Sequence, residues 1–147
     1  MSATIAGPAP RPCTSCPYRR DVPSGVWAAS EYGKLPAYDR PTSEQPIGVF
    51  LCHQTDRDSS QSRVCAGWAG CHDGAHLLAL RFAAITGSMT PEAVDATVDY
   101  VSPVPLFRSG ADAARHGLAQ IRRPGTRAVT TMGKIARRRG DVKGAGT

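Results

Sequence analysis

The side chains best suited to chemistry in this 147-residue chain are its five cysteines. Cys13 and Cys16 form a Cys-x-x-Cys turn that is followed directly by Pro17. One such turn can present both sulfurs to a single metal, and this half-site is shared by zinc sites and iron–sulfur proteins. A thioredoxin-like redox motif would instead follow a strand and open a helix, whereas this turn follows a Pro-rich segment. The turn therefore predicts a pair of metal ligands.

The residues that could complete the metal site are less regularly spaced. Three more cysteines compete for two places, and two histidines lie four residues apart near a predicted helix start, a spacing that can bind zinc. A solvent-exposed histidine pair explains the same spacing equally well. The candidate metal ligands are Cys13, Cys16, Cys52, Cys65 and Cys71, with His72 and His76 as alternatives.

The identity of the metal is also suggested by the pattern. Proline directly after a ligating cysteine, as at Pro17, recurs in ferredoxin-type sites. The cysteines extend from residue 13 to residue 71 and do not form the two matched Cys-x-x-Cys pairs of a zinc ribbon. We predict an iron–sulfur cluster of the 4Fe–4S type, which needs four thiolates and leaves the fifth cysteine as a bystander or an alternate ligand. Zinc is the alternative cofactor.

Charge is distributed unevenly along the chain. Residues 1–104 carry eight basic and ten acidic side chains, whereas residues 105–147 carry ten basic and two acidic ones. A cationic segment of this kind can bind nucleic acid or another acidic partner, although a disordered solubilising arm has the same composition. The candidate contacts with nucleic acid, the transcription machinery or an acidic partner are Arg122, Arg123, Arg127, Lys134, Arg137, Arg138 and Arg139.

Helices are the main elements expected to position these residues. Ser24 is a candidate N-cap for a short helix that runs toward Leu35, and Asp73, Thr90 and Ser109 are candidate starts for three more. A short basic helix is expected in the tail. The three longer helices are predicted over residues 74–86, 91–100 and 111–121.

One buried strand is predicted at residues 47–51, directly before Cys52. The expected fold class is mainly α: a small, metal-stabilised, α-rich domain with one short strand or hairpin and a loop-rich cysteine site. The predicted organisation is a disordered N-terminal tail over 1–11, a cysteine-rich metal-binding domain over 12–121 and a basic C-terminal arm over 122–147.

Many short motifs of the chain fit one known pattern. They are Pro12-Cys13-x-x-Cys16-Pro17-Tyr18-Arg19, Pro23-Ser24-Gly25-Val26-Trp27, Glu31-Tyr32-x-Lys34-Leu35, Tyr38-Asp39, Phe50-x-Cys52-His53-Gln54, Cys65-x-Gly67-Trp68 and Leu78-Ala79-Leu80-Arg81. With them the chain resembles, over roughly residues 12–85, an uncharacterised cysteine-rich domain family of actinobacteria and their phages. The resemblance implies no activity, places the basic tail outside the family and favours Cys65 over Cys71 as the fourth ligand.

A weaker likeness concerns the WhiB-like iron–sulfur transcription regulators. The chain shares with them a Cys-x-x-Cys-Pro turn, the Cys65-x5-Cys71 spacing, the Gly25-Val26-Trp27 element and a basic C-terminus. The order of these parts differs, because in that family the Cys-x5-Cys follows the Cys-x-x-Cys directly and the tryptophan element comes after the cysteines. We interpret this likeness as an analogy of parts.

The expected function is that of a non-enzymatic, cluster-bearing regulator or accessory factor. A zinc-stabilised interaction module is the alternative, and an unidentified iron–sulfur enzyme is a second one. The sequence lacks a Gly-rich phosphate loop, a Gly-x-Ser-x-Gly elbow and a His-Glu-x-x-His motif, which argues against catalysis. Its longest apolar stretch, over residues 77–85, is interrupted by Arg81, so we expect a cytoplasmic protein without a membrane partner.

Overall fold

The computed structural model describes residues 4–52 and 62–138, apart from the side chain of Arg138. In this part of the chain the fold is mainly helical, as predicted, and strand structure is limited to isolated bridges without a sheet. None of the helices there is long and apolar enough to cross a membrane. The helices are α1 (Ala29–Tyr32), α2 (Ala66–Cys71), α3 (Leu78–Thr86), α4 (Pro91–Val98), α5 (Gly110–Leu118) and α6 (Thr126–Arg138), with 3-10 turns at Leu35–Asp39, Thr42–Glu44 and Gly74–His76.

The ends of three helices follow the local capping chemistry of the sequence. The Thr90 hydroxyl accepts a hydrogen bond from Ala93 N at 3.1 Å and starts α4, with Pro91 as its first residue. The Ser109 hydroxyl accepts one from Asp112 N at 3.1 Å and starts α5. Gly87 ends α3 with a φ of 76°, a left-handed conformation that glycine adopts without strain.

The helix predicted from Ser24 to Leu35 is much shorter in the structure. Ser24 does not cap it; its hydroxyl donates to Gly117 O at 3.0 Å and accepts from Gln120 N at 2.8 Å, which ties it to the end of α5. The chain turns at Gly25, whose φ is 81°, and only the four residues of α1 are α-helical. A serine at this position of the sequence suggests an N-cap, but the Ser24 hydroxyl bonds the distant end of α5.

The strand predicted at residues 47–51 is reduced to one bridge, between Leu51 and Val64. The backbone nitrogens of Cys52 and Cys65 donate to Arg63 O and Phe50 O at 2.9 and 2.8 Å. The strand prediction is therefore wrong in extent, and the bridge that forms joins the segment before Cys52 to the segment before Cys65.

The N-terminal segment is ordered where the structure describes it. Ile5 N donates to Ser88 O at 2.8 Å, Ala6 N donates to Ser62 O at 3.0 Å, and Val64 N donates to Ala6 O at 2.9 Å. Backbone hydrogen bonds to residues 62, 64 and 88 thus hold residues 5 and 6, which lie within the segment predicted to be a disordered tail. Residues 1–3 lie outside the description.

The basic C-terminal segment is also part of the folded body over the length of α6. Ala128, Met132 and Ile135 are spaced along one face of α6 and are buried, with at most 7% of each residue exposed. Arg127 Nη2 donates to Asp21 O at 3.2 Å. Residues 126–138 therefore form a docked helix and not a free arm, since three apolar residues at helical spacing give it a face to bury. Residues 139–147 lie outside the description.

Candidate metal centre

The Cys-x-x-Cys turn is held in place by several contacts. Cys16 N donates to Cys13 O at 3.0 Å and closes the turn. The buried indole of Trp27 donates from Nε1 to Ser15 O at 2.8 Å. The Arg19 guanidinium donates from Nη1 to Pro12 O at 3.0 Å. These bonds hold the backbone of the turn in place.

Four of the five cysteine side chains are linked by thiol contacts. The Sγ atoms of Cys16 and Cys65 are 3.7 Å apart, and both residues are buried. The thiols of Cys16 and Cys52 are near enough to that of Cys13 to shift its pKa in opposite directions. The contacts thus run from Cys52 through Cys13 and Cys16 to Cys65. Each neighbouring pair comes from the predicted ligand set.

The environment of these thiols disfavours an isolated thiolate. The pKa of Cys13 is raised to about 11, chiefly by the neighbouring Cys16 thiol and also by burial, against a lowering by Cys52. The pKa of Cys16 is raised well above its usual value because the thiol is fully buried. The backbone N–H of Tyr18 bonds Cys16 and acts in the opposite direction. Ionising several of these thiols together requires a cation among them.

The Arg19 guanidinium is a positively charged group held at the Cys-x-x-Cys turn. Besides Pro12 O, its Nη1 donates to Cys13 O at 3.5 Å, while Nε and Nη2 hold the Asp21 carboxylate at 2.8 and 2.7 Å. The guanidinium is therefore kept at the backbone of the turn and does not enter the thiol cluster. There it offsets part of the negative charge that four thiolates would create.

Gly67 is a site residue whose role the motif alone does not explain. A Cβ atom built at this position would overlap Cys16 Sγ and come within 2.8 Å of Tyr18 Cβ. Glycine is therefore required for α2 to approach the Cys-x-x-Cys turn closely enough for Cys65 to reach Cys16. The sequence signal for this role is the glycine two residues after Cys65, in the Cys65-x-Gly67-Trp68 motif.

Cys71 lies apart from the four linked thiols. It ends α2, and burial together with the Asp39 and Asp112 carboxylates raises its pKa to about 12. With His72 and His76 it lines a surface groove of about 540 Å³. The structure thus places the fifth cysteine away from the other four, a distinction that the residue spacing alone did not make.

The two candidate histidines have other partners. His72 Nε2 is 3.3 Å from the Tyr18 hydroxyl, and His72 Nδ1 is 3.8 Å from Asp39 Oδ1. His76 is exposed and lies 3.5 Å from Asp73 Oδ2. Both ring nitrogens of His72 are thus engaged, so a shared metal between the two histidines has no support in these contacts.

Burial of His72 predicts a pH dependence of stability. Its pKa is lowered because burial disfavours the imidazolium form, an effect that the Asp39 carboxylate only partly offsets. The unfolded chain therefore binds the proton more readily, and the free energy of unfolding falls as the pH drops below about 6.5. Urea denaturation at several pH values should show a shallower dependence below neutrality for His72→Gln than for the native protein. Equal slopes would remove His72 as the cause.

Among residues 4–52 and 62–138, no group of three or more His, Cys, Asp or Glu side chains is arranged so that it could hold a metal ion. The best candidates for metal ligands are Cys13, Cys16, Cys52 and Cys65, because they are neighbours, are at least partly buried and form no disulfides.

The basic candidates lie on the surface at the far end of the chain. Arg122, Arg123, Arg127, Lys134 and Arg137 are exposed around the turn before α6 and along that helix. The side chain of Arg138 and all of Arg139 lie outside the described residues. The structure thus brings Arg127 and Lys134 to the face of α6 that meets the cysteine turn.

A family model described as a family of unknown function, DUF6283, matches residues 8–139. The chain belongs to this family. The match extends beyond the 12–85 segment with the recognisable motifs, so the DUF6283 domain includes α3 to α6 and most of the segment expected to lie outside the family. No curated protein and no solved structure is significantly similar to the chain.

Proposed function

We propose that the DUF6283 domain is a metal-binding domain whose metal is held by the thiolates of Cys13, Cys16, Cys52 and Cys65. The 3.7 Å approach of the buried Cys16 and Cys65 sulfurs, with the partly buried Cys13 and Cys52 as neighbours, carries this proposal. The metal would supply the positive charge that lets these thiols ionise and would join the N-terminal turn to α2. Its role is then structural, because four protein ligands leave no open position for a substrate.

The distance between the Cys16 and Cys65 sulfurs also bears on which metal the domain binds. Four sulfurs bound tetrahedrally at about 2.3 Å from one zinc ion lie about 3.8 Å from each other. In a 4Fe–4S cluster each cysteine binds a different iron, so the sulfurs are held further apart. The geometry therefore favours a single zinc-like ion. The predicted iron–sulfur cluster is the second candidate, favoured by Pro17 after Cys16 and by the likeness to WhiB-like regulators.

The test is metal and sulfide analysis of protein purified without oxygen. We expect colourless protein with one zinc per chain and no acid-labile sulfide. Brown protein with iron and sulfide would replace zinc by the cluster, and protein without either metal after purification from supplemented medium would overturn the metal centre. Free thiols of this kind persist in a reducing compartment, so the proposal places the domain in the cytoplasm.

The exposed cations around α6 favour a further role as a nucleic-acid-binding accessory factor. Arg137 is exposed on α6, whose other face is buried in the domain, and Arg122 and Arg123 are exposed in the turn before this helix. Such a surface would bind phosphates electrostatically, with affinity that falls steeply with salt. The proposed actinobacterial or phage origin is compatible with this role and is not needed for it.

A further inference from the structure

A cleft of about 390 Å³ lies between the cysteine turn and α6. Thr14 and Ser15 form one wall, and the other wall is α6. The helix contributes Thr126, Arg127, Thr130, Thr131, Lys134 and Ile135.

The chemistry of this cleft is that of an anion site. Its described lining contains two cations and five hydroxyl-bearing side chains, and none of these residues carries a carboxylate. Arg127 and Lys134 are seven residues apart, two turns of α6, so both lie on the same side of the helix. Arg127 uses Nη2 to hold Asp21 O, which fixes its position and leaves its other N–H groups able to donate.

The hydroxyl groups are fixed as well. The Thr130 and Thr131 hydroxyls donate to Thr126 O and Arg127 O at 3.0 and 2.9 Å. The Thr14 side chain is exposed on the opposite wall. The cleft is thus bounded by cations on one wall and a small polar side chain on the other, within a volume that suits a phosphate group and an attached sugar.

We propose that this cleft binds a phosphate group, with Arg127 and Lys134 as its cationic contacts and Thr14 as the contact from the cysteine turn. The inference deepens the proposed nucleic-acid role by locating one phosphate at a defined site. It does not depend on the identity of the metal. The phosphate could belong to a nucleic-acid strand or to a free nucleotide, and the experiment separates the two.

The test is an NMR titration of the full-length, metal-analysed protein with inorganic phosphate, using sodium chloride at equal ionic strength as the blank. We expect saturable shifts of the amide signals of Thr14, Ser15 and the first turns of α6. Lys134→Gln should weaken binding about tenfold, as loss of a charge-assisted contact does. Thr14→Val should weaken it about threefold, as loss of a neutral hydrogen bond does.

The matched control is Arg40→Gln, which removes an equal charge from an exposed position outside the cleft and outside the basic surface around α6, and it should change binding less than about twofold. Equal weakening by Arg40→Gln and Lys134→Gln, or shifts no larger than in the chloride blank, would overturn the proposal while the metal content stays intact. Titrations with a mononucleotide and with a short single-stranded DNA then identify the source of the phosphate, which is the one that binds more tightly.

Discussion

Cys16→Ser is expected to abolish metal binding and the cooperative unfolding transition of the DUF6283 domain. Cys16 is completely buried, its Sγ lies 3.7 Å from that of Cys65 and its thiol neighbours that of Cys13, so its loss breaks the centre of the four-thiol cluster. The apparent binding free energy of a structural zinc ion is on the order of 10 kcal/mol, which is comparable to the whole stability of a domain this size. Metal content per chain and thermal unfolding measure the two effects.

Cys71→Ser is the matched control for this experiment. It removes the same sulfur from a half-buried position outside the thiol cluster, so we expect full metal content and a loss of about 1 kcal/mol in the free energy of unfolding. If Cys71→Ser lost its metal as Cys16→Ser does, the assignment of four ligands would be wrong. Full metal content in Cys16→Ser would refute the centre itself.

Gly110→Ala is expected to be the most destabilising change outside the metal centre. A Cβ at this first residue of α5 would overlap the Leu35 carbonyl group. The collision would push α5 away from the 3-10 turn at Leu35–Asp39. It would break the bonds at 2.8 Å in which the Asp39 carboxylate accepts from Gly110 N and Ala111 N. Because both colliding groups include backbone, we expect a loss of about 3 kcal/mol.

The measurement is the urea midpoint of unfolding, with Gly125→Ala as the control. No described atom lies within 4 Å of a Cβ at Gly125, so this change should leave the midpoint nearly unaltered. Gly117→Ala gives a second site with a different collision, against the Tyr32 ring. A Gly110→Ala protein as stable as the Gly125→Ala protein would mean that α5 is not held against the turn.

Structural features that depend on neighbouring residues were predicted from the sequence, whereas features that depend on distant residues were missed. Caps at Thr90 and Ser109 and the end of a helix at residue 86 were predicted, because residues only a few positions away determine them. Ser24 was misplaced because its partners are Gly117 O and Gln120 N, more than ninety residues further along the chain. The paired N-terminal segment and the docked α6 were missed for the same reason.

The candidate site was likewise only partly predictable from the sequence. Residue type and the turn at Cys13 and Cys16 identified the thiols, but spacing could not rank Cys65 against Cys71. That choice depends on how closely α2 approaches the turn, and the approach depends on Gly67, which has no side chain to collide with Cys16. The position of Cys71 relative to the other four cysteines therefore follows from tertiary packing and not from residue spacing.

The docking of α6 beside the cysteine turn has a consequence for biosynthesis. Cys13 and Cys16 are synthesised more than a hundred residues before Met132 and Ile135. During translation the first two thiols have neither Cys65 nor the α6 wall beside them, so they are exposed to oxidation and to premature binding of soft metals. The contact between the cysteine turn and α6 can therefore form only after the C-terminal helix has been synthesised. Until then, chaperones or a reducing environment must protect the early thiols.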